Sequence, residues 1–550
     1  MNISNIVLPS LSLKVLLASV ATFTVIKIWR ILTFWTWSYS SPLRDIPGPK
    51  RTSLLLGNLE EIRRSESSVL HEEWVKKYGK VVVYKGFMNM DRIYTMDTRA
   101  LNHVLTHSID YQKPYEAREG LSRLLGDGIL VTEGEKHRQQ RRVMNPSFGP
   151  PSIRNLTPIF FQKAQQLRDI WADQLPESGG SRRIEVLSWL SRATLDIIGL
   201  AGFNYRFDSL NVNEKPTDLN LAFQTLFRAD ADLSPLLILQ IFIPILREIP
   251  THRRRQEIKA KAAMRRIAKE LVDERKKAFT NEKKDIEKDS DNLNENDLLS
   301  VLIKANMDPD IPESQRMTDE DVLSQIPTFL VAGHETTSVE TMWCLYALSK
   351  RPDLQARLRE ELLSVPTDTP SMDELQALPF LDAVVRETLR VHPAVPATSR
   401  VAKKDDIIPL NEPFVDKHGK LRSEIPIRKG ESFFIPIVAI NRWSEIWGAD
   451  ALEFNPDRWA NIPESTTSIP GVFANLLSFL GGPRSCIGYR FALVEMKALL
   501  FTLIRSFEFE LGIPDAELEK RSTVVTRPYL KSEKRGKAQM PLLVKAYVPA

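Results

Sequence analysis

Hydrophobic residues occur in two patterns along this chain, as one long apolar run at the start and as amphipathic segments after it. Residues 6–26 hold a single charged residue, and about 20 mostly apolar residues can cross a bilayer as a helix. Later segments repeat apolar residues at helical spacing, which predicts helices over residues 157–175, 184–200, 252–279 and 322–348. Residues 80–85 are rich in valine and predict a strand of a small sheet. The pattern therefore predicts mostly helix.

The residues after the apolar run predict a membrane anchor. Basic and aromatic residues come directly after it: Lys27, Trp29, Arg30, Trp35 and Trp37. Cations after a span favour the cytosolic side, and tryptophan favours the interface between lipid and water. We expect a transmembrane helix over about residues 6–26, within an anchor and interface belt of residues 1–40, and the rest of the chain in the cytosol.

Lys14 lies inside the run and weakens this prediction. Its ammonium can reach the interface from an off-centre position, whereas at the bilayer midplane it costs about 2.5 to 3.5 kcal/mol. The competing interpretation is a cleaved signal peptide, with small residues 19–21 near the cleavage site. The basic stop after the run and the scarcity of cysteine favour the anchor.

Composition narrows the class of protein. The chain has 550 residues and two cysteines, which indicates a reducing compartment rather than a disulfide-built secreted protein. Its 75 basic and 70 acidic residues give a net charge of +5 and are dispersed, so nucleic acid is not an expected partner. Residues 281–296 are rich in charged residues and asparagine and predict a mobile surface loop.

Prolines mark the boundary between the anchor and the remainder of the chain. Residues 41–50 include three prolines and predict a stiff hinge that sets the orientation of the domain after it. The chemically meaningful motifs run from about residue 134 to 488, which favours one large domain over residues 51–550 instead of several.

Cys486 has the most informative surroundings. It lies in the string Phe479-Leu-Gly-Gly-Pro-Arg-Ser-Cys-Ile-Gly488. Gly482 and Gly488 permit a sharply turned backbone, and Arg484 supplies positive charge that stabilises a thiolate. A packed structural cysteine is the simpler interpretation, and we favour it for Cys344 in an apolar helical run. For Cys486 the glycines and the arginine favour a metal-binding thiolate.

The pattern of Phe479, Gly482, Arg484, Cys486 and Gly488 resembles the haem-binding loop of the cytochrome P450 superfamily. The resemblance implies a mainly α haem-thiolate fold with small β-sheets, of the α+β class, behind an N-terminal transmembrane helix. It makes Cys486 the axial ligand of haem b, iron protoporphyrin IX. It also implies electrons from NADPH through a separate FAD/FMN reductase, and it allows cytochrome b5 as an additional partner.

Two segments match the superfamily's structural motifs. Glu387-Thr-Leu-Arg390 resembles its ExxR motif, whose spacing puts the carboxylate and the guanidinium on one helix face. Residues 454–459 resemble the segment that adds a second arginine, here Arg458. The resemblance implies that the three side chains are buried together behind the haem, where loss of one partner costs about 3 to 5 kcal/mol. Weak exposed ion pairs are the alternative for each motif alone.

Ala332-Gly-His-Glu-Thr-Thr337 resembles the oxygen-binding kink of the superfamily's long central helix. The resemblance makes Thr336 a hydrogen-bond donor to dioxygen and Glu335 a source of protons through water, a catalytic pair. It assigns to Gly333 the space for oxygen and for a distorted helix. Pro327 removes a backbone donor early in the same helix and predicts a bend or irregular first turns.

A haem carries two propionates that need cationic partners. Arg484 matches one family position, and Arg400, which comes after the ExxR segment, matches another. Residues 134–142 resemble the helix that carries a Trp-x-x-x-Arg pair, with His137 in place of tryptophan and Arg141 as the arginine. We expect both of these side chains to contact the haem. The other basic residues of that helix are either a solvated face or a surface for an acidic reductase.

Position relative to these motifs predicts an apolar substrate pocket. Phe329, Ala332 and Val395 are expected on the distal side of the iron, where they suit a lipophilic small molecule such as a terpenoid, sterol, fatty acid or aromatic compound. Residues 227–249 are apolar enough to dip into membrane lipid and admit such a substrate. Ordinary helix packing is an equal alternative for this segment.

These matches predict a haem-thiolate monooxygenase held by one span in the endoplasmic reticulum membrane. It inserts one atom of dioxygen into a lipophilic substrate, and its resemblance to fungal microsomal members suggests secondary metabolism, for instance of terpenoids. Two alternatives stay open. One is a reductase-independent isomerase or dehydratase of the superfamily, which often lacks the acid and alcohol pair; the other is a non-catalytic haem carrier or sensor, which needs no oxygen-activating helix.

Overall fold

The computed structural model describes residues 40–211, 252–282, 297–307, 316–522, 524–533 and 536–549, with four single residues, Ala18, Thr22, Val25 and Pro312. Nearly all of the predicted anchor and of the charged loop over residues 281–296, and all of the apolar segment 227–249, lie outside the described residues. Among the residues described, one helix, Val186–Phe203, is long and apolar enough to span a membrane, and 72% of it is buried inside the protein.

Helices make up most of the described chain. They are α1 (Leu59–Arg64), α2 (Val69–Tyr78), α3 (Thr98–Thr106), α4 (Tyr115–Leu125), α5 (Gly134–Met144), α6 (Pro150–Gln174), α7 (Val186–Phe203), α8 (His252–Glu282), α9 (Leu298–Met307), α10 (Asp319–Ser349), α11 (Pro352–Leu363), α12 (Met372–Gln376), α13 (Pro379–Val391), α14 (Ile437–Asn441), α15 (Ser444–Trp447) and α16 (Tyr489–Ser506).

The strands form small sheets at the edges of the helical core. They are β1 (Val81–Lys85), β2 (Asp91–Thr95), β3 (Tyr111–Gln112), β4 (Arg182–Glu185), β5 (Thr398–Ala402), β6 (Asp406–Val415), β7 (Leu421–Ile427), β8 (Ser432–Ile435), β9 (Phe507–Leu511), β10 (Leu518–Ser522), β11 (Thr526–Leu530) and β12 (Pro541–Ala546). The largest sheet has the order β1-β2-β8-β5-β3, a second has the order β4-β12-β9, and β6-β7 and β10-β11 are hairpins.

The predicted helices and the predicted strand are present, with shifted boundaries. The helix predicted from residue 157 begins at Pro150, as α6. The segment predicted as a helix from residue 184 begins with β4, which pairs with β12, and α7 starts only at Val186. Glu185 sets this start because its carboxylate accepts the backbone N–H groups of Leu187 and Ser188. Apolar periodicity alone does not reveal such a cap.

The central helix α10 runs through the core and packs against α7, α13 and α16. A reciprocal capping box between Thr318 and Asp321 fixes its start. The predicted irregularity at Pro327 does not end the helix, which is continuous from Asp319 to Ser349. Pro327 is buried with its neighbours in the packed interior, and its missing N–H leaves one backbone hydrogen bond of the helix unmade.

Candidate active site

The loop before α16 presents Cys486 through its own backbone hydrogen bonds. The Cys486 N–H donates to the Phe479 carbonyl at 2.9 Å, and the Ser485 N–H donates to the Gly482 carbonyl at 3.1 Å. Gly482 has a φ of +67°, and a Cβ there would lie 2.4 Å from the Leu105 carbonyl oxygen, so only glycine fits. The expectation for Gly488 was wrong in this respect, because its φ of −90° is open to any residue.

Cys486 is an accessible residue of this loop with packed protein around it. The residue is exposed, yet burial by surrounding protein raises the pKa of its thiol, against the lowering effects of the Gly488 N–H and Arg141. An accessible sulfur is free to bind a ligand. Arg141 fixes the backbone beside it, since it donates from Nη1 to the Ser485 carbonyl at 2.6 Å.

Basic side chains from separate elements converge beside this loop: Lys113, Arg118, His137, Arg141, Arg400 and Arg484. Burial, together with the charge of Arg484, lowers the pKa of Lys113 to about 7 and that of Arg400 to about 10. Burial and the neighbouring cations lower the pKa of His137 to about 3, so its ring is neutral and keeps one N–H donor. The sequence-predicted residues of this group are thus brought together.

One carboxylate stands among these cations. Glu133 pairs with Arg484 at 2.5 Å, and both side chains are less than 10% exposed. Arg484 Nη1 and Arg118 Nε are buried and have no hydrogen-bond partner among the described residues. The cluster therefore has more positive charge and more donors than Glu133 can satisfy, and it suits a dianionic ligand.

The ExxR pair is fully buried. Arg390 donates from Nε and Nη2 to the two oxygens of Glu387, at 2.9 and 2.8 Å, and both side chains are 0% exposed. Glu387 also accepts the Asn455 N–H and the Trp459 indole N–H. Arg458 joins less directly than the motif suggests, at 3.6 Å from Glu387, because its main partner is the carboxylate of Asp450 at 2.7 Å.

One face of α10 is accessible in the middle of an otherwise buried stretch. Between residues 324 and 348 only Ala332, Gly333, Glu335 and Thr336 are half-buried, and the others are buried. Thr336 Oγ1 donates to the Ala332 carbonyl at 2.7 Å, so its hydroxyl is held along the helix. The predicted catalytic pair, Glu335 and Thr336, therefore lies on the half-buried band of this stretch.

Glu335 is fixed by an arginine from a distant strand. Arg527, on β11, donates from Nε to Glu335 Oε1 at 2.7 Å, and the two side chains are 9% and 15% exposed. The Oε2 atom lies 3.9 Å from His334 Nε2. A charged pair at this degree of burial orients the carboxylate tightly.

Comparison with known proteins identifies the family. The family model for Cytochrome P450 matches residues 47–532. The chain belongs to the cytochrome P450 family. Cytochrome P450 monooxygenase 205 of Postia placenta is 53% identical to this P450 over 537 residues, which cover 98% of the chain and 99% of the relative.

Two further fungal relatives agree. Cytochrome P450 monooxygenase 128 of Postia placenta is 50% identical and covers 96% of the P450 and 97% of its own length, and cytochrome P450 monooxygenase claP of Ampulloclitocybe clavipes is 35% identical and covers 92% and 93%. With relatives named as monooxygenases over nearly their whole length, this P450 is a P450-type monooxygenase, and the family implies a haem cofactor.

The residues of the P450 fit that cofactor. The accessible thiol of Cys486 could supply a sulfur ligand, and the unsatisfied donors of the cation cluster could bind two propionates. The buried, neutral ring of His137 keeps a donor N–H where the family usually has tryptophan.

Three further residues that the sequence placed near the oxygen site or the substrate pocket of the P450 have contacts that the sequence did not predict. Gly333 packs against α7 instead of opening space, because a Cβ there would lie 2.9 Å from Ile198. Phe329 stacks on Phe148 at 5.3 Å and is 6% exposed, while Val395 is half-buried after Ala394. A pocket role for Phe329, Ala332 and Val395 stays a prediction.

Sequence reasoning missed Lys113, Glu133 and Arg527. Two of them act on partners that are distant in sequence: Arg527 meets Glu335 across 192 residues, and Glu133 meets Arg484 across more than 300. No local motif surrounds any of the three in the sequence. A surplus of arginines in the haem motifs could have pointed only to the existence of a counter-charge, not to its position.

Proposed function

We propose that this P450 is a membrane-anchored haem-thiolate monooxygenase that inserts one oxygen atom of dioxygen into a lipophilic substrate. The observation that carries the proposal is the accessible, desolvated thiol of Cys486 beside a buried cation cluster. Electrons come from NADPH through a separate FAD/FMN reductase, with cytochrome b5 as an additional donor.

Haem b, when bound through the Cys486 sulfur, supplies the activation of dioxygen and its transfer to carbon. Arg141 holds the Ser485 carbonyl and thereby keeps the sulfur in place from the side of α5. Arg400, Arg484 and neutral His137 bind the propionates as donors, and Lys113 joins them, since a nearby dianion favours its charged form.

Thr336 and Glu335 handle protons on the accessible face of α10. The Thr336 hydroxyl can turn away from the Ala332 carbonyl and donate instead to an oxygen atom beside this face of α10. A water molecule then donates a hydrogen bond to the Thr336 hydroxyl oxygen. Glu335 takes protons from solvent and passes them on through water, and Arg527 decides where its Oε1 points. The buried residues around this face exclude other water.

Localisation and pathway are inferred from sequence features and relatives. The apolar run over residues 6–26 and its basic flank support a single span in the endoplasmic reticulum membrane with the catalytic domain in the cytosol. Fungal monooxygenase relatives support a role in fungal secondary metabolism, and an apolar pocket suits a terpenoid or similar substrate. The hinge over residues 41–50 joins the anchor to a catalytic domain over residues 51–550.

The test uses full-length protein in lipid nanodiscs with a fungal NADPH-dependent reductase. Lipophilic compounds are screened by the shift of the haem spin state, and hits are turned over under isotopically labelled dioxygen. We expect a product that carries one labelled oxygen atom and needs NADPH, reductase and dioxygen together. Conversion without NADPH or dioxygen would indicate the isomerase or dehydratase, and haem binding without NADPH consumption would indicate a carrier.

A further inference from the structure

Glu340 is a buried acid to which the proposed chemistry gives no role. It lies on α10 one helical turn beyond Thr336 and is 8% exposed. Its Oε1 accepts the Ala394 N–H at 2.5 Å, and its Oε2 is buried without a hydrogen-bond partner among the described residues. Burial raises its pKa to about 8, against the lowering effect of the Ala394 N–H, so the side chain is a neutral carboxylic acid at neutral pH.

The contact with Ala394 continues to β11. The Ala394 carbonyl accepts the N–H of Thr526, the first residue of β11, at 2.8 Å. The Thr526 carbonyl in turn accepts the indole N–H of Trp343, at 3.0 Å. Both backbone groups of Thr526 are therefore hydrogen-bonded. Its N–H is bound by the segment after α13, and its carbonyl is bound by α10 itself.

Arg527 comes directly after Thr526 and closes a ring of contacts. Its side chain binds Glu335, which precedes Glu340 by five residues on α10. The ring runs from Glu340 to Ala394, to Thr526 and Arg527, and back to Glu335. Because α10 is one continuous helix, Glu340, Trp343 and Glu335 hold Ala394, Thr526 and Arg527 against the same rigid element.

We infer that Glu340 is a positioning residue for the Glu335–Arg527 pair, which it places by fixing Ala394 and, through Ala394, the start of β11. The inference rests on the proposed function, because Glu335 matters as a proton source only in a monooxygenase. The same contact places Val395, the next residue and a predicted pocket residue.

The chemistry of the contact says which substitutions disturb it. Without an acceptor at residue 340, the Ala394 N–H is buried and unsatisfied, and the segment must move to find another partner. A misplacement of about 1 Å in catalytic geometry can lower the rate by about 100-fold. Glutamine keeps a neutral acceptor oxygen of the same reach, so it preserves the ring.

The experiment measures product formed per NADPH consumed in the full-length holoprotein with reductase. Glu340→Leu, Glu340→Gln, Arg527→Gln and the double variant Glu340→Leu/Arg527→Gln are compared, with Glu340→Ala as a smaller substitution should leucine prevent folding. Glu185→Leu is the matched control, since Glu185 is a half-buried acid whose pKa burial also raises and which also accepts a backbone N–H from another segment, that of Met540, in a different sheet. Hydrogen exchange of peptides that contain Ala394 and Thr526 gives a second readout.

We expect Glu340→Leu and Arg527→Gln each to lower coupling about 10- to 100-fold. Coupling in the double variant is no lower than in the worse of the two single variants, and Glu340→Gln keeps the coupling of wild type. Exchange accelerates at both peptides in Glu340→Leu and stays unchanged in Glu185→Leu.

Normal coupling in Glu340→Leu, or losses that multiply in the double variant, would overturn the inference. Failure of the proposed function has a different signature. Wild-type holoprotein would then consume no NADPH with any reductase, while exchange at the Thr526 peptide would still respond to Glu340→Leu. If hydrogen exchange at the Thr526 peptide is the same in Glu340→Leu and wild type, the proposed ring of contacts is wrong, whatever the activity.

Discussion

Arg527 and Glu335 form an ion pair at 2.7 Å that ties the central helix to a strand near the C terminus. Glu335 belongs to the half-buried band of α10, next to Thr336. A carboxylate that delivers protons must point towards the reacting group at one moment and towards solvent at another. An arginine that holds one of its oxygens therefore controls how much time the carboxylate spends in each of the two orientations.

Replacing Arg527 by glutamine removes the charge that holds Glu335. We expect NADPH oxidation to continue while product per NADPH falls and hydrogen peroxide rises, because the acid no longer keeps a defined position. Arg521→Gln is the matched control, since Arg521 is the cross-strand neighbour of Arg527 in the same hairpin and pairs with Glu519 instead. Equal uncoupling in both variants would show that the hairpin, not the ion pair, is responsible.

Thr336→Ala removes the hydroxyl that donates along α10. We expect product per NADPH to fall by about 100-fold or more, the lower end of the range for a positioned proton donor, and Thr336→Ser to recover most of the coupling. Thr341→Ala is the control, because Thr341 makes the same kind of bond to the carbonyl four residues earlier but is fully buried. Undiminished coupling in Thr336→Ala would remove this residue from the proton path.

The buried ExxR pair predicts a stability effect. Arg390→Met leaves the Glu387 carboxylate charged and 0% exposed, at a cost of about 3 to 5 kcal/mol, so we expect loss of haem incorporation and a strongly lowered Tm. Arg458→Met should be milder, because the main partner of Arg458 is Asp450, whose side chain is 41% exposed. Thermal melts with haem quantified alongside check this order, and a reversed order would contradict it.

The neutral state of Glu340 predicts a pH effect on stability. The ordinary pKa of its carboxyl is 4.5 and burial raises it to about 8, so the folded protein binds a proton that the unfolded chain releases. This contribution is fully present below about pH 4.5 and is lost as the pH rises through about 8. Glu340→Gln lacks it, so the Tm of the variant minus that of wild type should increase between about pH 5 and about pH 8. A constant difference would mean that Glu340 is already ionised.

Local patterns predicted the elements well and the contacts between them poorly. The helix that became α10 and the glycine at 482 could be predicted from spacing and backbone geometry, which are properties of neighbouring residues. Gly333 shows the limit: its role depends on Ile198 in α7, which no spacing reveals.

The site shows the same division. Cys486, Arg141, Arg400 and Arg484 could be picked out because the family motifs name them, and the structure brings them together. Glu133 and Arg527 could not, because an ion pair between distant elements leaves no periodic trace in the sequence. Arg458 was assigned to Glu387, whereas the nearer carboxylate of Asp450 takes most of its donors.

The most direct test of the account is the spectrum of the dithionite-reduced, carbon monoxide-bound protein in wild type, Cys486→Ser and Cys344→Ser. If the Cys486 sulfur binds haem iron, wild type and Cys344→Ser show the strongly red-shifted Soret band of a thiolate-ligated haem, and Cys486→Ser lacks it. The same red-shifted band in Cys486→Ser would contradict the central claim.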